Sequence, residues 1–494
     1  MASSVTLTLP NGEQYEQPIG LFIDNKFVPS KNGKKFETVD PSTDEKIVDV
    51  YEAGVDDVDI AVQAARRAFA GEWAQKSAEE RGIIMNRFVQ LIEEVRPKLA
   101  AIESWDAGKP YPASLHGDVS ELVGTFRYFA GWADKSFGRT IETSPGKFAY
   151  TLHQPIGVCG QIIPWNFPLA MWAWKVAPAV AVGCTVVIKT AEQTPLSALF
   201  LGSLIEKAGF PPGVVNILSG FGRIAGAALA SHLDVDKVAF TGSTTTGKQI
   251  MKAASVNLKA ITLECGGKSP LIVCDDADLQ KAVNAGYYGI TFNAGQVCTA
   301  TSRIFVHESI YEEYMKAFKQ KILDESRVGH PFEAGTTQGP QVSKTQRERV
   351  LNYIEQGKAQ GAQVLTGGAG KGEGGYFVQP TIFVGAADDS IIMQEEIFGP
   401  VASIVTWKDE AEVIRRANQT SYGLAASVFT QKLTRAHLIA EKLQVGMVWI
   451  NSNQDSHYGV PFGGWKSSGI GKELGEYGLT NYTNVKAVHV NLDS

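Results

Sequence analysis

The chain is predicted to be an α/β protein with two parallel sheets and a small β-ribbon unit, and three observations predict it. Short apolar runs at 158–163, 185–188, 214–217, 237–240 and 261–263 start 23 to 29 residues apart. That spacing suits strand, helix and return crossover. After about residue 267 a second alternation places strands at 271–274, 303–306 and 401–406, with a helix at 308–322 among the connections. Two extended segments, 140–153 around the turn signal Pro145-Gly146 and 482–492 at the C-terminus, stand outside both series.

Ahead of the first sheet, residues 55–135 carry apolar side chains at three- and four-residue intervals and read as two or more helices. Ser77-Ala-Glu-Glu80 has the form of a capping box before an apolar face of Ile84, Phe88, Leu91, Ile92, Val95 and Leu99. Thr194-Pro195 reads as a cap and first residue of a crossover helix. Two strands alone are marginally stable in water, so the extended segments are expected to find a partner sheet, in another subunit if not in this one. The Gly-rich stretch 367–375 reads as a flexible connection.

Composition narrows the partners. With 494 residues, 44% hydrophobic, 20% charged, and a net charge of −6 without a dense Lys/Arg run, the chain is expected to bind neither nucleic acid nor an anionic membrane. Its longest nearly apolar stretch, 176–188, contains Pro178 and Gly183 and falls short of the roughly 20 residues a membrane helix needs. The first twenty residues show no secretory or transit pattern, and the terminal Asn-Leu-Asp-Ser matches no retention address, so a cytoplasmic location is the expectation. Five cysteines, Cys159, Cys184, Cys265, Cys274 and Cys298, form no C-x-x-C pair; neither a disulfide framework nor a zinc site fits them, and no metal is expected.

Three constellations carry chemistry. Gly242-Ser-Thr-Thr-Thr-Gly247-Lys248-Gln249 follows a strand and opens a helix, one residue type away from a P-loop. Gln249 stands where a Mg²⁺-binding hydroxyl is needed, which argues against nucleotide hydrolysis but leaves amides suited to a pyrophosphate. An ordinary strand-to-helix turn would look the same. Gly220-Phe-Gly222-Arg-Ile-Ala-Gly226 is one residue too long for G-x-G-x-x-G, yet adjacent glycine turns in a parallel sheet meet at its carboxyl edge. Lys189 and Glu192, at a third strand end, suit the hydroxyls of a ribose. The last pair is Glu264, in Leu263-Glu-Cys-Gly-Gly-Lys-Ser-Pro270, and Cys298, in Phe292-Asn-Ala-Gly-Gln-Val-Cys-Thr299. A thiolate can attack carbon, and a carboxylate can take a proton or activate water. A cysteine protease would need a His partner, and the eight histidines offer no evident choice.

Ordered blocks along nearly the whole chain carry a resemblance: Ile163-Pro-Trp-Asn-Phe-Pro168, Lys189-Thr-Ala-Glu-Gln-Thr-Pro195, Phe240-Thr-Gly-Ser243, Leu263 to Pro270, Gly295-Gln-Val-Cys298, Glu395-Glu-Ile-Phe-Gly-Pro400 and Pro461-Phe-Gly-Gly464. The sequence resembles the NAD(P)-dependent aldehyde dehydrogenases, and looks most like their cytosolic, fungal-type members. The resemblance implies that Cys298 attacks an aldehyde to give a thiohemiacetal, that Asn166 and the Cys298 amide hold the oxyanion, and that Glu264 activates the water that hydrolyses the thioester. Lys175 and Glu473 match the residues that relay the base's proton.

The resemblance also implies a binding site for NAD, with NADP disfavoured because the Glu192 carboxylate would repel a 2′-phosphate. Lys189 and Glu192 would take the adenosine ribose. Trp165, Gly222, Gly226, Phe240 and Ser243 would surround adenine and pyrophosphate, and Glu396 with Phe398 the nicotinamide ribose. Ile163, Pro164, Asn166, Thr241, Gly242, Thr246, Glu264, Cys265 and Gln346 would complete the cofactor site. The substrate tunnel would use Glu121, Phe167, Ala170, Met171, Trp174, Phe292, Val297, Thr299, Gln454, Ser456 and Phe462, an aromatic wall with more polar groups than an aliphatic pocket has; an aromatic or short aliphatic aldehyde is expected. Val297 and Thr299 stand where the family often has a second Cys. The implied organisation is a cofactor unit of 1–136 and 155–266, a catalytic unit of 267–478, and an oligomerisation ribbon of 137–154 and 479–494, assembled as a homotetramer. A CoA-acylating dehydrogenase and a non-catalytic binding or structural protein on the same scaffold are the competing readings.

Overall fold

The computed structural model describes residues 3–372 and 374–492; Glu373 of the glycine-rich stretch and the last two residues of the terminal tetrapeptide lie outside the described residues. The protein is α/β, with two large sheets that are mainly parallel.

The first sheet has eight strands. Its five parallel members run in the order Ala260–Glu264, Lys237–Thr241, Val158–Ile162, Thr185–Lys189, Val215–Leu218. The chain therefore starts mid-sheet, steps outward twice, and crosses back to the other side of Val158–Ile162. Such a reversal opens a crevice at the carboxyl edge, where open α/β sheets bind ligands. Register confirms the alignment of that edge: Lys189 is level with Ile162 and Leu218, and Thr241 with Glu264. Antiparallel strands flank the five. Leu21–Ile23 and Lys26–Val28 cover one side, and Gly469–Ile470 returns from far along the chain to pair with Glu264 on the other.

Helix Pro168–Val182 leaves the central strand and is buried at all 15 positions. Its apolar composition is that of a core helix; no helix among the described residues is long and apolar enough to cross a membrane. Ahead of it, Ser77 and Glu80 form the reciprocal cap, with the Glu80 amide donating to Ser77 Oγ at 3.2 Å and the Ser77 amide to Glu80 Oε2 at 2.7 Å. The apolar face expected from Ile84 to Leu99 is broken. Helix Ala78–Glu94 ends at Val95, and Arg96–Ala107 restarts with Pro97 in its first turn, where a missing N–H costs nothing.

Thr194 does not cap the helix that follows it. Helix Leu196–Ala208 begins one residue late, and buried Asp106 accepts the Leu196 amide at 2.8 Å, so a carboxylate distant in sequence does the capping. The 308–322 segment opens with a 3-10 turn, Glu308–Ile310, before the α-helix Tyr311–Glu325.

The second sheet orders seven strands as Gln363–Thr366, Thr381–Val384, Val401–Trp407, Arg303–His307, Pro270–Val273, Ala425–Phe429 and Met447–Ile450, all parallel but for the first. The two segments set apart by sequence pair with each other. Thr140–Ser144 and Lys147–Pro155 form a hairpin, and Thr483–Asn491 lies along its other side from Thr483–Pro155 to Asn491–Lys147. Among the described residues neither outer strand of this ribbon has a second neighbouring strand.

Candidate active site

At the carboxyl edge of the first sheet, facing the second, lies a cavity of about 570 Å³. Residues that follow the two strands at the reversal line it: Pro164, Trp165 and Asn166 beyond Ile162, and Thr241, Gly242 and Ser243 at the end of the neighbouring strand. Glu264 and Cys265 enter from the adjacent strand end. The Cys298 loop closes the opposite side.

Helix Leu279–Thr291 delivers that loop through an unusual bend. Asn293 and Ala294 both hold positive φ, 47° and 55°, a conformation that costs non-glycine residues of the order of 1 kcal/mol each and is kept where the surroundings over-determine it. Hydrogen bonds supply that determination. Asn293 Nδ2 donates to the Asn166 carbonyl at 2.9 Å, Asn166 Nδ2 donates to the Gln296 carbonyl at 2.9 Å, and Gln296 Oε1 accepts the Val342 amide at 2.9 Å. Asn166 spends one of its two amide protons in this way.

Cys298 is the one half-buried thiol of the five; the other four are buried. Burial pushes its pKa well up, and the charges of Glu396 and Glu264 push it further, against a smaller opposing effect of the Thr299 and Cys298 amides. The resting side chain is therefore a thiol. Glu264 is buried too, and its Oε2 has no hydrogen-bond partner. Burial and the Glu473 charge raise its pKa well above the ordinary carboxylate value, while Lys175 and Lys472 act the other way. A carboxyl group with one buried, unpartnered oxygen thus lines the same cavity as the thiol.

Behind Glu264, Lys175 Nζ pairs with Glu473 Oε1 and donates to Thr241 Oγ1 at 2.7 Å, fully removed from solvent. Neither Lys175 nor Glu473 reaches the cavity wall. Close approach shapes the backbone here. A Cβ on Gly463 would sit 2.5 Å from Glu264 Oε1, and one on Gly266 would sit 2.0 Å from Glu396 Oε2. Glu396 Oε1 accepts the Gly267 amide at 3.0 Å, and burial lifts its pKa to about 7.

All eleven residues expected around the substrate line the cavity: Glu121, Phe167, Ala170, Met171 and Trp174 from the helical side, Phe292, Val297 and Thr299 from the cysteine loop, and Gln454, Ser456 and Phe462 from the C-terminal region. Gln346, Glu396 and Phe398 line it as well; Gln346 Nε2 holds the Phe398 carbonyl at 2.7 Å, and Trp165 meets the Phe398 ring edge-on at 5.3 Å. Ile163, Lys189, Glu192, Gly222, Gly226, Phe240 and Thr246 are outside the wall. Several of them gather along the same sheet edge: Lys189 Nζ lies 3.3 Å from Glu192 Oε2, beside Gly226, and the Thr246 amide donates to Ser243 Oγ to cap helix Thr244–Ala254. Gly222–Gly226 is a π-helical turn, which accounts for the extra residue between its glycines.

Sequence reasoning missed Lys109, Asp118, Tyr288, Asn293, Arg349 and Trp449, which also line the cavity. Asn293 stood inside a quoted block and its glycine-flanked loop was a usable signal. The others come from separate elements, and only the fold brings them together.

The family described as the aldehyde dehydrogenase family matches residues 27–488. An aldehyde dehydrogenase of Davidiella tassiana is 53% identical over 491 residues, covering 99% of each chain. A mitochondrial benzaldehyde dehydrogenase of Antirrhinum majus is 52% identical over 481 residues, covering 97% of this chain and 89% of that protein. The solved NAD⁺ complex of an aldehyde dehydrogenase from Bacillus cereus superposes with a TM-score of 0.95 at 51% identity, covering 96% of both chains. A thiol, an unpartnered carboxylate and a carboxamide on one cavity wall, together with identity above half along almost the entire length, place this chain in the aldehyde dehydrogenase family.

Proposed function

We propose that the chain oxidises an aldehyde to a carboxylic acid with NAD⁺, with Cys298 as nucleophile and water as the final acyl acceptor. One observation carries the reading: Cys298 and Glu264, whose buried Oε2 has no partner among the described residues, line the same 570 Å³ cavity, with Asn166 between the strand edge and the cysteine loop. Loss of the thiol proton lets Sγ form a bond to the carbonyl carbon. The free Nδ2 proton of Asn166 and the Cys298 amide then receive the oxyanion, each such donor being worth about 3 kcal/mol. Bound NAD⁺ supplies the acceptor for the hydride leaving that carbon. Glu264 takes a proton from water, whose oxygen attacks the resulting thioester, and the C–S bond breaks to release the acid and the thiolate. The Lys175–Glu473 pair behind Glu264 gives its proton a route away.

The residues present fit the dinucleotide. Lys189 and Glu192 would hold the adenosine ribose, the capped amino end of helix Thr244–Ala254 the pyrophosphate, and Glu396 the nicotinamide ribose. Substrate walls of Phe167, Phe292, Trp174 and Phe462 favour an aromatic or short aliphatic aldehyde, a reading supported by the benzaldehyde activity named for the Antirrhinum relative. The cofactor unit is taken as 1–136 and 155–266, the catalytic unit as 267–478, and the ribbon of 137–154 and 479–494 as the seam of a homotetramer, since neither of its outer strands has a second neighbouring strand among the described residues. Light scattering checks the subunit count.

Absorbance at 340 nm with benzaldehyde, and with NAD⁺ or NADP⁺, tests the activity. The kcat/KM with NAD⁺ is expected to exceed that with NADP⁺ about tenfold or more, and Glu192→Gln to narrow the gap. A preference for NADP⁺ in the unaltered enzyme would overturn the Glu192 assignment. Gly266→Ala offers a separate check. The added Cβ displaces the Glu396 carboxylate from the Gly267 amide, so calorimetric affinity for NAD⁺ is expected to fall about tenfold, the worth of one hydrogen bond to a charged group. An unchanged Kd would remove Glu396 from the cofactor site.

A further inference from the structure

Two of the cavity's four carboxylates, Asp118 and Glu121, have no part in the chemistry above, and only Asp118 has an ion-pair partner among the described residues. Glu121 rises from helix Val119–Trp132 into a wall that is otherwise largely aromatic and aliphatic. Its Oε1 accepts Trp174 Nε1 at 2.9 Å and lies 3.5 Å from Thr125 Oγ1. Among the described residues both of its hydrogen bonds fall on Oε1, it forms no ion pair, and the residue lines the cavity.

Anchoring Trp174 does not require a charge. A neutral amide or hydroxyl would accept the indole proton equally well, whereas an ionised carboxylate offers about four lone-pair sites and costs several kcal/mol to take out of water without a partner. Lys109, which also lines the cavity, is already used. Lys109 Nζ lies 2.7 Å from Asp118 and 3.7 Å from Glu103, and it sits 4.1 Å over the Phe167 ring. The groups whose charges reach Glu121 are His457, which favours ionisation, and Asp118, which opposes it, while burial is the dominant influence and pushes its pKa up. Glu121 holds Trp174, one of the substrate walls, and so serves the part of the cavity that receives the substrate's tail.

We infer that Glu121 Oε2 is a specificity-determining acceptor, and that the preferred aldehydes carry a hydrogen-bond donor, a hydroxyl or an ammonium, on the side away from the carbonyl. The inference rests on the dehydrogenase reading above and refines its substrate class. Both donors suit the site. A hydroxyl would pair with Oε2 next to the Trp174 indole edge that Oε1 already holds, and an ammonium would gain from the charge as well. A plain aromatic or alkyl aldehyde would bury Oε2 unpaired, and sites built to hydrogen-bond a substrate discriminate strongly against the analogue that lacks the donor.

Paired substrates test it. Steady-state kcat/KM is measured for 4-hydroxybenzaldehyde against benzaldehyde and for 3-aminopropanal against butanal, in the unaltered enzyme, in Glu121→Gln and in Glu121→Met. The unaltered enzyme is expected to prefer the donor-bearing member of at least one pair about tenfold or more, and the pair that shows it identifies the donor. In Glu121→Met the ratio should fall to about one, through a higher KM for the donor-bearing aldehyde with kcat little changed. Glu121→Gln keeps an oxygen for Trp174 and puts an uncharged NH2 in place of Oε2, from which a hydroxyl oxygen can accept but to which an ammonium cannot bind, so it retains a hydroxyl preference and loses an ammonium preference. Because each readout is a ratio within one preparation, general damage to the fold does not imitate the result. Equal kcat/KM within both pairs in the unaltered enzyme, or a preference that survives Glu121→Met, overturns the inference while leaving the dehydrogenase reading intact. Absence of NADH from every aldehyde overturns both.

Discussion

Cys298→Ala is expected to lower kcat for aldehyde oxidation by on the order of 10⁴-fold or more while leaving the melting temperature and NAD⁺ affinity close to those of the unaltered enzyme. The asymmetry follows from where the sulfur is. Cys298 is half-buried against an open cavity, so removing Sγ creates no sealed void, and its loop is held by Asn166, Asn293 and Gln296 rather than by the thiol. Cys274 gives the opposite result. It is buried at the end of a strand in the second sheet, so Cys274→Ala should cost stability and spare turnover. Alkylation supplies the pH check. Burial, with the charges of Glu396 and Glu264 adding to it, holds the Cys298 thiol protonated, so its rate of reaction with iodoacetamide in the cofactor-free enzyme should climb steadily as pH rises through the neutral range, because only the thiolate reacts. Full-speed oxidation by Cys298→Ala would end the nucleophile assignment.

What could be read from sequence was what depends on local spacing. Parallel strands betrayed themselves at 158, 185, 214, 237 and 261 because a crossover needs a fixed length of chain, and the Ser77–Glu80 cap because both partners lie within one turn. Thr194 shows the limit. Its position before Pro195 was a sound local signal, but Asp106, ninety residues earlier, reaches the same helix end and takes the amide. The N-terminal strands, such as Gln14–Pro18 and Lys35–Asp40, were missed for a related reason: short, half-exposed hairpins carry little apolar pattern, and tertiary packing decides them. At the site, Cys298 and Glu264 stood out by residue type and loop context and Asn166 only as a member of a recognisable block; nothing in their spacing brings them to one cavity. The unpartnered oxygens of Glu264 and Glu121 were not legible at all, because a missing partner is a property of three dimensions.

Replacement of the base gives the second large effect. Glu264→Gln is expected to cut kcat by about 10²- to 10⁴-fold, the range for loss of a positioned general base, and to change the shape of the progress curve. Sγ attack and oxidation remain possible, so one equivalent of NADH per active site should appear in a burst. Turnover should then stall, with the acyl group held on Cys298 and visible as added mass. Coenzyme A should not restart it if water is the natural acceptor; release of acyl-CoA at the original rate would favour the acylating alternative. The pH dependence follows from the direction of the Glu264 shift. Its pKa is raised, the unprotonated form is the base, and kcat in the unaltered enzyme should therefore rise with pH through that raised value, a limb that Glu264→Gln loses. Glu473 provides an internal control on the cause. Its negative charge helps raise the Glu264 pKa and Lys175 opposes it, so Glu473→Gln should move the rising limb to lower pH, both by removing the repulsion and by freeing the buried Lys175 cation to act on Glu264 alone. A limb that stays put in Glu473→Gln would mean that burial alone sets the base's proton affinity, and a Glu264→Gln enzyme without a burst would mean that hydrolysis does not pass through this carboxylate.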